Sequence, residues 1–244
     1  MRLYARLTWQ ASDPAVLADD LGRRLGVEVG AGGLVPGAQL LRLGSWLLEV
    51  RPWVREGPDD EPRPAGRLML EPVPDGEDPV PSPAAAAAPL ALVGLGWGTV
   101  ELDRAEDELS MWLGPRATAP PDGVTPDGDG HLADEPLAAR ARLRQSGGLP
   151  GAWTVLLEPS AEGRAAAALA RDGEGPIALY LRPAAGLDAW LARARDAGAK
   201  PGPRRAGPFG PQVLLPGAMT GPHLVVTEGR EPVFAVSPAG TIAP

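Results

Sequence analysis

Two histidines, His131 and His223, are the only side chains in this 244-residue chain that ordinarily titrate near neutral pH, and the chain has no cysteine. Thiolate catalysis, sulfur-ligated metals and disulfides are therefore excluded, which fits a reducing compartment. The other groups able to attack, coordinate or cradle form no recognisable pattern. Ser110 and Ser160 have no histidine and acid partners in the order of a nucleophilic triad. Gly94 and Gly96 in VGLGWG hint at a dinucleotide loop, but strand-like residues follow and no third glycine opens a helix. Asp127–His131 (DGDGH) begins like a calcium loop and lacks its later acidic ligands, so it reads as a solvated turn.

Charge narrows the partners. A formal net charge of −8 argues against a polyanion-binding surface, which needs clustered cations, so no nucleic-acid partner is expected. The nearest approach to a cluster, Arg140, Arg142 and Arg144, alternates as the wet face of a strand does. No segment reaches the roughly 18 consecutive apolar residues of a membrane span. The N-terminal MRLYARLTWQ has no signal-peptide core, so a cytoplasmic protein without a membrane partner is expected.

The elements that would position chemistry recur along the chain. Arg2 to Gln10 alternates apolar and polar residues as a strand. Asp13 can then cap a helix that carries Leu17, Leu21 and Leu25 on one face and stops at Gly26. Ala38 to Leu43 and Trp46 to Val50 form a hairpin, and Arg67 to Glu71 has strand character. After a Pro/Ala-rich stretch the pattern restarts: strand Leu92 to Leu102, a helix capped by Asp103, then a hairpin of Arg140 to Arg144 with Trp153 to Leu157. Ser160 is expected to cap an alanine-rich helix, and Pro176 to Leu181 returns to strand. Leu187, Trp190, Leu191 and Ala194 follow helical spacing, and Gln212 to Leu215 and His223 to Thr227 close the unit. The expected class is α+β, with tandem βαβββ modules forming a half-barrel sheet around a cleft. The expected organisation is an N-terminal module over 1–72, a linker over 73–91, a paired-module domain over 92–232 with a flexible insertion at 115–136, and a tail over 233–244. An odd module leaves apolar sheet surface to cover, so it either packs on the pair, helped by Arg67 to Glu71, or forms a homodimer.

The stretches LGWGTVELDRAEDEL, WTVLLEPSAEGRAAAALARDGEGPIALYL, LDAWLARARDAGAKP and GPFGPQVLLPGAMTGPHLVVTE, between Leu95 and Glu228, resemble the vicinal-oxygen-chelate superfamily of glyoxalases, bleomycin-resistance proteins and extradiol dioxygenases. The methylmalonyl-CoA epimerase branch is the nearest in pattern. The resemblance implies metal ligands on the first and last strands of each module, positions that match Trp97, Val155, Pro176 and Val225. None of these supplies a lone pair to a cation, so no metal and no cofactor are expected.

Alternation from those positions puts Thr99 and Glu101 with Trp97, Trp153 with Val155, Tyr180 and Arg182 with Pro176, and His223 with Val225 on the concave face. Trp97, Thr99, Trp153, Tyr180, Arg182 and His223 are thus the expected lining for a ligand, and Glu101 or His223 the candidate acid/base groups. Plain core packing of the aromatics and an ion pair between Glu101 and Arg182 are the structural alternatives. Three functions remain open: a metal-independent binder of a small, partly apolar molecule, a metal-free lyase or isomerase, and a scaffold whose pocket is filled by its own side chains.

Overall fold

The computed structural model describes residues 5–33, 35–44, 46–54, 67–72, 89–110, 113–116, 124–146, 152–216 and 222–229. The tail at 233–244 and most of the linker lie outside the described residues. In the first module, β1 (Ala5–Ala11) leads into α1 (Pro14–Leu25). Asp13 caps α1 by accepting a bond from the Val16 amide at 3.1 Å, and Gly26 ends it in the left-handed conformation, φ 69°. β2 (Val29–Ala31), β3 (Gln39–Leu43) and β4 (Trp46–Pro52) follow, and β4 returns beside β1 in parallel. The fifth strand, β5 (Arg67–Pro72), lies antiparallel on the free side of β1, giving the order β2-β3-β4-β1-β5.

The second module is β6 (Leu90–Gly98), α2 (Leu102–Glu108), β7 (Leu113–Arg116), β8 (Leu132–Asp134), β9 (Ala139–Ser146) and β10 (Trp153–Pro159). After the connecting α3 (Arg164–Asp172), the third module runs β11 (Gly175–Pro183), α4 (Leu187–Asp196), β12 (Gln212–Leu215) and β13 (His223–Thr227). Their strands form one sheet, β12-β13-β11-β6-β10-β9-β7, with β8 added to β9. Each module repeats one rule: its first strand runs parallel to its last, β6 with β10 and β11 with β13. The two modules join where β6 and β11 pair antiparallel. This is the paired βαβββ architecture expected from the sequence pattern.

β5 gives β1 the same antiparallel neighbour that β11 gives β6. It is held there by more than its ladder, because Glu71 accepts bonds from Thr8 Oγ1 at 3.1 Å and Arg51 Nη1 at 3.0 Å. The apolar side of the first sheet then packs, with α1, against α4 and the helix side of β11 and β13 in one continuous core that includes Leu21, Leu48, Trp190 and Val226. Arg193 Nη2 closes this junction by donating to the Leu25 carbonyl at 2.6 Å. This packing covers the α1-bearing side of the first sheet within the chain.

Two caps differ from expectation. Glu101, not Asp103, is the N-cap of α2, and it makes no side-chain bond. The Leu102 amide is satisfied from across the sheet by Glu158 Oε2 at 3.1 Å. Ser160 likewise precedes α3 by a loop, and Gly163 is its N-cap. The segment read as a flexible insertion also contains structure: Leu132–Asp134 is β8, in register with β9, and both of its end residues are buried.

Candidate functional site

The concave face of the eight-stranded sheet, to which the sequence pattern assigns the candidate ligand residues, has a floor of glycine. A Cβ added at Gly94 would meet Phe209 Cζ at 2.9 Å, and one at Gly96 would meet Ala178 Cβ at 2.8 Å and Leu157 Cδ1 at 2.9 Å. Side chains of the neighbouring strands have moved into the space that β6 leaves. Trp153, Val155 and Leu157 from β10, Ala178 and Tyr180 from β11 and Val225 from β13 form one buried cluster. Phe209, from the loop between α4 and β12, lies over Gly94 with its ring 5.3 Å from that of Tyr180 at 68°, an edge-to-face contact. Tyr180, Val155 and Val225 are all 0% exposed, so this face is interior.

One polar network is buried in it. Tyr180 donates its hydroxyl to Asp134 Oδ2, Gln212 Nε2 donates to Asp134 Oδ1 at 3.0 Å, and the Leu137 amide donates to the same oxygen at 3.2 Å. Burial pushes the Asp134 carboxyl up to about 6, against the opposing pull of those three donors. Burial, and after it the neighbouring carboxylate, raises the Tyr180 phenol above its usual value. A carboxylate bonded to a phenol can exchange protons in principle, but both groups are wholly enclosed. What the network does is tie β8, β11 and β12 together across the concave face.

The sequence-expected residues divide between two faces. Trp153, Tyr180 and His223 lie on the concave side with Val155 and Val225, as alternation requires. Trp97 does not: it packs on the helix side against Leu102, Ala105 and Leu156. Pro176 stands directly opposite it on β11. The face assignment for this pair was one residue out of step, since Gly96 and Gly98 hold the concave positions and β11 has a register shift between Pro176 and Ala178. Thr99 is buried just beyond β6 and donates to Glu174 Oε1 at 2.8 Å. Glu101 is exposed, and Arg182 faces Ala91 at the opposite end of β6, roughly 20 Å away at ~3.3 Å per residue, so the two form no ion pair.

His223 is mostly enclosed. Burial above all, and then the nearby Arg164 and Arg171, draw its pKa down to about 4, with a hydrogen bond to the Arg164 backbone opposing them. The imidazole is therefore neutral at pH 7. The arginine row on β9 is neutralised rather than free: Arg142 and Arg144 lie 3.1 and 3.3 Å from the buried Glu106 of α2, and Arg140 pairs with Glu158. Asp134, Gln212 and Phe209 carried no readable sequence signal, because each lies in or beside a Gly/Pro-rich or polar stretch.

A metal of the kind the resemblance implies does not fit these residues. Among the described concave residues glycine, valine and alanine predominate, His223 is a single imidazole, and the carboxylate of Asp134 already has both oxygens occupied by donors. Among the described residues no three His, Asp or Glu side chains converge as a ligand set.

No family model matches the chain, and no curated protein matches it. Among solved structures, it is similar to methylmalonyl-CoA epimerase of Streptomyces coelicolor in complex with 2-nitronate-propionyl-CoA, at 22% identity over 56% of this chain and 96% of that one, TM-score 0.40. The Mycobacterium tuberculosis epimerase gives 21% identity over 57% and 87%, TM-score 0.43. The 2,2',3-trihydroxybiphenyl 1,2-dioxygenase of Sphingomonas wittichii spans 90% of this chain and 68% of its own, at 10% identity and TM-score 0.31. The strand order itself defines the class, an α+β protein with a paired-βαβββ sheet of the glyoxalase-like kind. None of the described helices is long and apolar enough to cross a membrane.

Proposed function

We propose that this chain is a non-enzymatic, metal-independent protein of paired-module design whose cleft has become part of its core, so that it acts through its surface. The observation that carries this reading is the Phe209 ring seated on the Gly94 floor, where a small molecule would otherwise enter. The two acid/base candidates support it as well. Glu101 is solvated at a helix end, and His223 is neutral and packed. A binder in the inter-module cleft would have to displace Phe209 and open the Asp134 network, both enclosed in the same buried cluster.

The test uses neutral apolar probes, toluene and indole, with thermal shift and titration calorimetry. Wild-type protein is expected to show no saturable response. Phe209→Ala is expected to lose about 3–5 kcal/mol of stability and to gain binding of a benzene-sized molecule in the space vacated. Saturable binding of either probe to the wild type, with protection of β6 and β11 amides, refutes the closed-cleft reading.

A further inference from the structure

Most arginines in the described residues have a carboxylate beside them, including Arg23, Arg24, Arg51, Arg104, Arg140, Arg142, Arg144 and Arg204. Three cations without such a partner share one cavity. Arg164 at the start of α3, and Lys200 and Arg205 in the loop before β12, line a surface cavity of about 390 Å³. No salt bridge joins any of the three to a described carboxylate. All three are exposed. One carboxylate, Glu135, shares the wall, and it is committed elsewhere: its Oε2 accepts from the Ala206 amide at 3.2 Å while its own amide donates to the Ala206 carbonyl at 3.1 Å. That reciprocal pair fixes the loop bearing Arg205 against the segment after β8. The cavity wall thus has three positive groups and one negative one, in a chain whose overall charge is −8.

Beyond Glu135 and Arg205 a second hollow of about 440 Å³ opens, sharing those two residues. Its wall includes Val124, Ala133 and Pro211, an apolar surface beside a cationic one. Three cations around one carboxylate leave the wall net positive, and a cationic concavity concentrates anions. We propose that this two-lobed groove is a binding site for a small amphiphilic dianion of the phosphomonoester type, with the phosphoryl group among Arg164, Lys200 and Arg205 and the apolar body along Val124, Ala133 and Pro211. Guanidinium groups suit phosphoryl oxygens because they donate two parallel hydrogen bonds. The site lies outside the closed cleft, so it stands or falls independently of the cleft's occupancy.

Calorimetric titration of the full chain at pH 8 and low salt, with phenyl phosphate, inorganic phosphate and phenol as probes, tests it. Phenyl phosphate is expected to bind one to one, about tenfold or more tighter than inorganic phosphate, and phenol not to saturate. The double variant Lys200→Gln/Arg205→Gln is expected to lose about tenfold or more in affinity for phenyl phosphate with its melting temperature unchanged. Arg164→Gln should weaken binding in the same direction, while Arg23→Gln on α1 leaves it intact. No saturation of the wild type up to about 10 mM overturns the proposal. Equal affinity for phenyl phosphate and inorganic phosphate, an adventitious ion only, also overturns it, as does an equal loss in Arg23→Gln.

Discussion

The buried carboxyl of Asp134 makes stability depend on pH in a direction opposite to most acidic residues. Burial raises it from an ordinary 3.8 to about 6. The folded chain therefore holds this proton more tightly than the unfolded chain does. The stabilisation is complete below pH 3.8 and is lost as pH rises through about 6. Raising the carboxyl from 3.8 to about 6, at about 1.4 kcal/mol per tenfold in proton affinity, amounts to ~3 kcal/mol. His223 works the other way across an overlapping range. Its value falls from 6.5 to about 4 on folding, so its contribution is present above 6.5 and is lost as pH falls through about 4. In the wild type the two trends offset each other, and neither is visible alone. Asp134→Asn separates them. The amide keeps an oxygen for the Gln212 and Leu137 donors and turns its NH2 toward the Tyr180 hydroxyl, which can accept. Urea unfolding at pH 4, 5, 6 and 7 is the assay. The stability of the variant relative to wild type should move in the variant's favour by ~3 kcal/mol from pH 4 to pH 7. His223→Asn should gain on wild type in the reverse direction, as pH falls. A relative stability of Asp134→Asn that stays constant across this range refutes the reasoning, because it would mean that the carboxyl titrates alike in folded and unfolded chains.

Two further predictions concern packing and charge. Gly96→Ala places a methyl group within 2.8 Å of Ala178 Cβ, and overpacking of this kind should cost about 1–3 kcal/mol in chemical denaturation, whereas Gly128→Ala, with nothing within 4 Å, should be near neutral. Glu106→Gln puts a neutral amide where Arg142 and Arg144 meet a buried carboxylate and should cost about 3 kcal/mol. Asp103→Asn, which removes an exposed partner of the same Arg142, should cost under about 1 kcal/mol in the same denaturant melts.

Much of the fold was legible because it is written in local signals. Asp13, Pro14 and Gly26 mark both ends of α1, and the Leu187–Ala194 spacing marks α4. Repetition of strand, helix and strands gave the modules, and their pairing followed from unburied sheet faces. The candidate site was less legible, for two physical reasons. Trp97 is placed by matching it to a ligand position of the resembled superfamily, and because the concave positions of β6 are glycines, no polarity pattern on that strand corrects the match. The Asp134 network depends on partners 46 and 78 residues away, in segments whose proline, glycine and acidic content reads as loop. Buried acid in a polar stretch leaves no periodic trace. The choice between an intrachain and an interchain neighbour for β1 also turned on six residues of β5, too short to decide by pattern.

The glycine floor of β6 has a bearing on how reversible this design is. A coordinating side chain introduced at Gly94 or Gly96 would strike Phe209, Ala178, Leu157 or Tyr180 before it reached open space. Building a reactive centre there would demand several simultaneous replacements, each unfavourable by itself. The closed sheet thus behaves as a mutational ratchet: single steps toward a metal-binding or catalytic cleft lower stability, and new activities are more accessible at the rim.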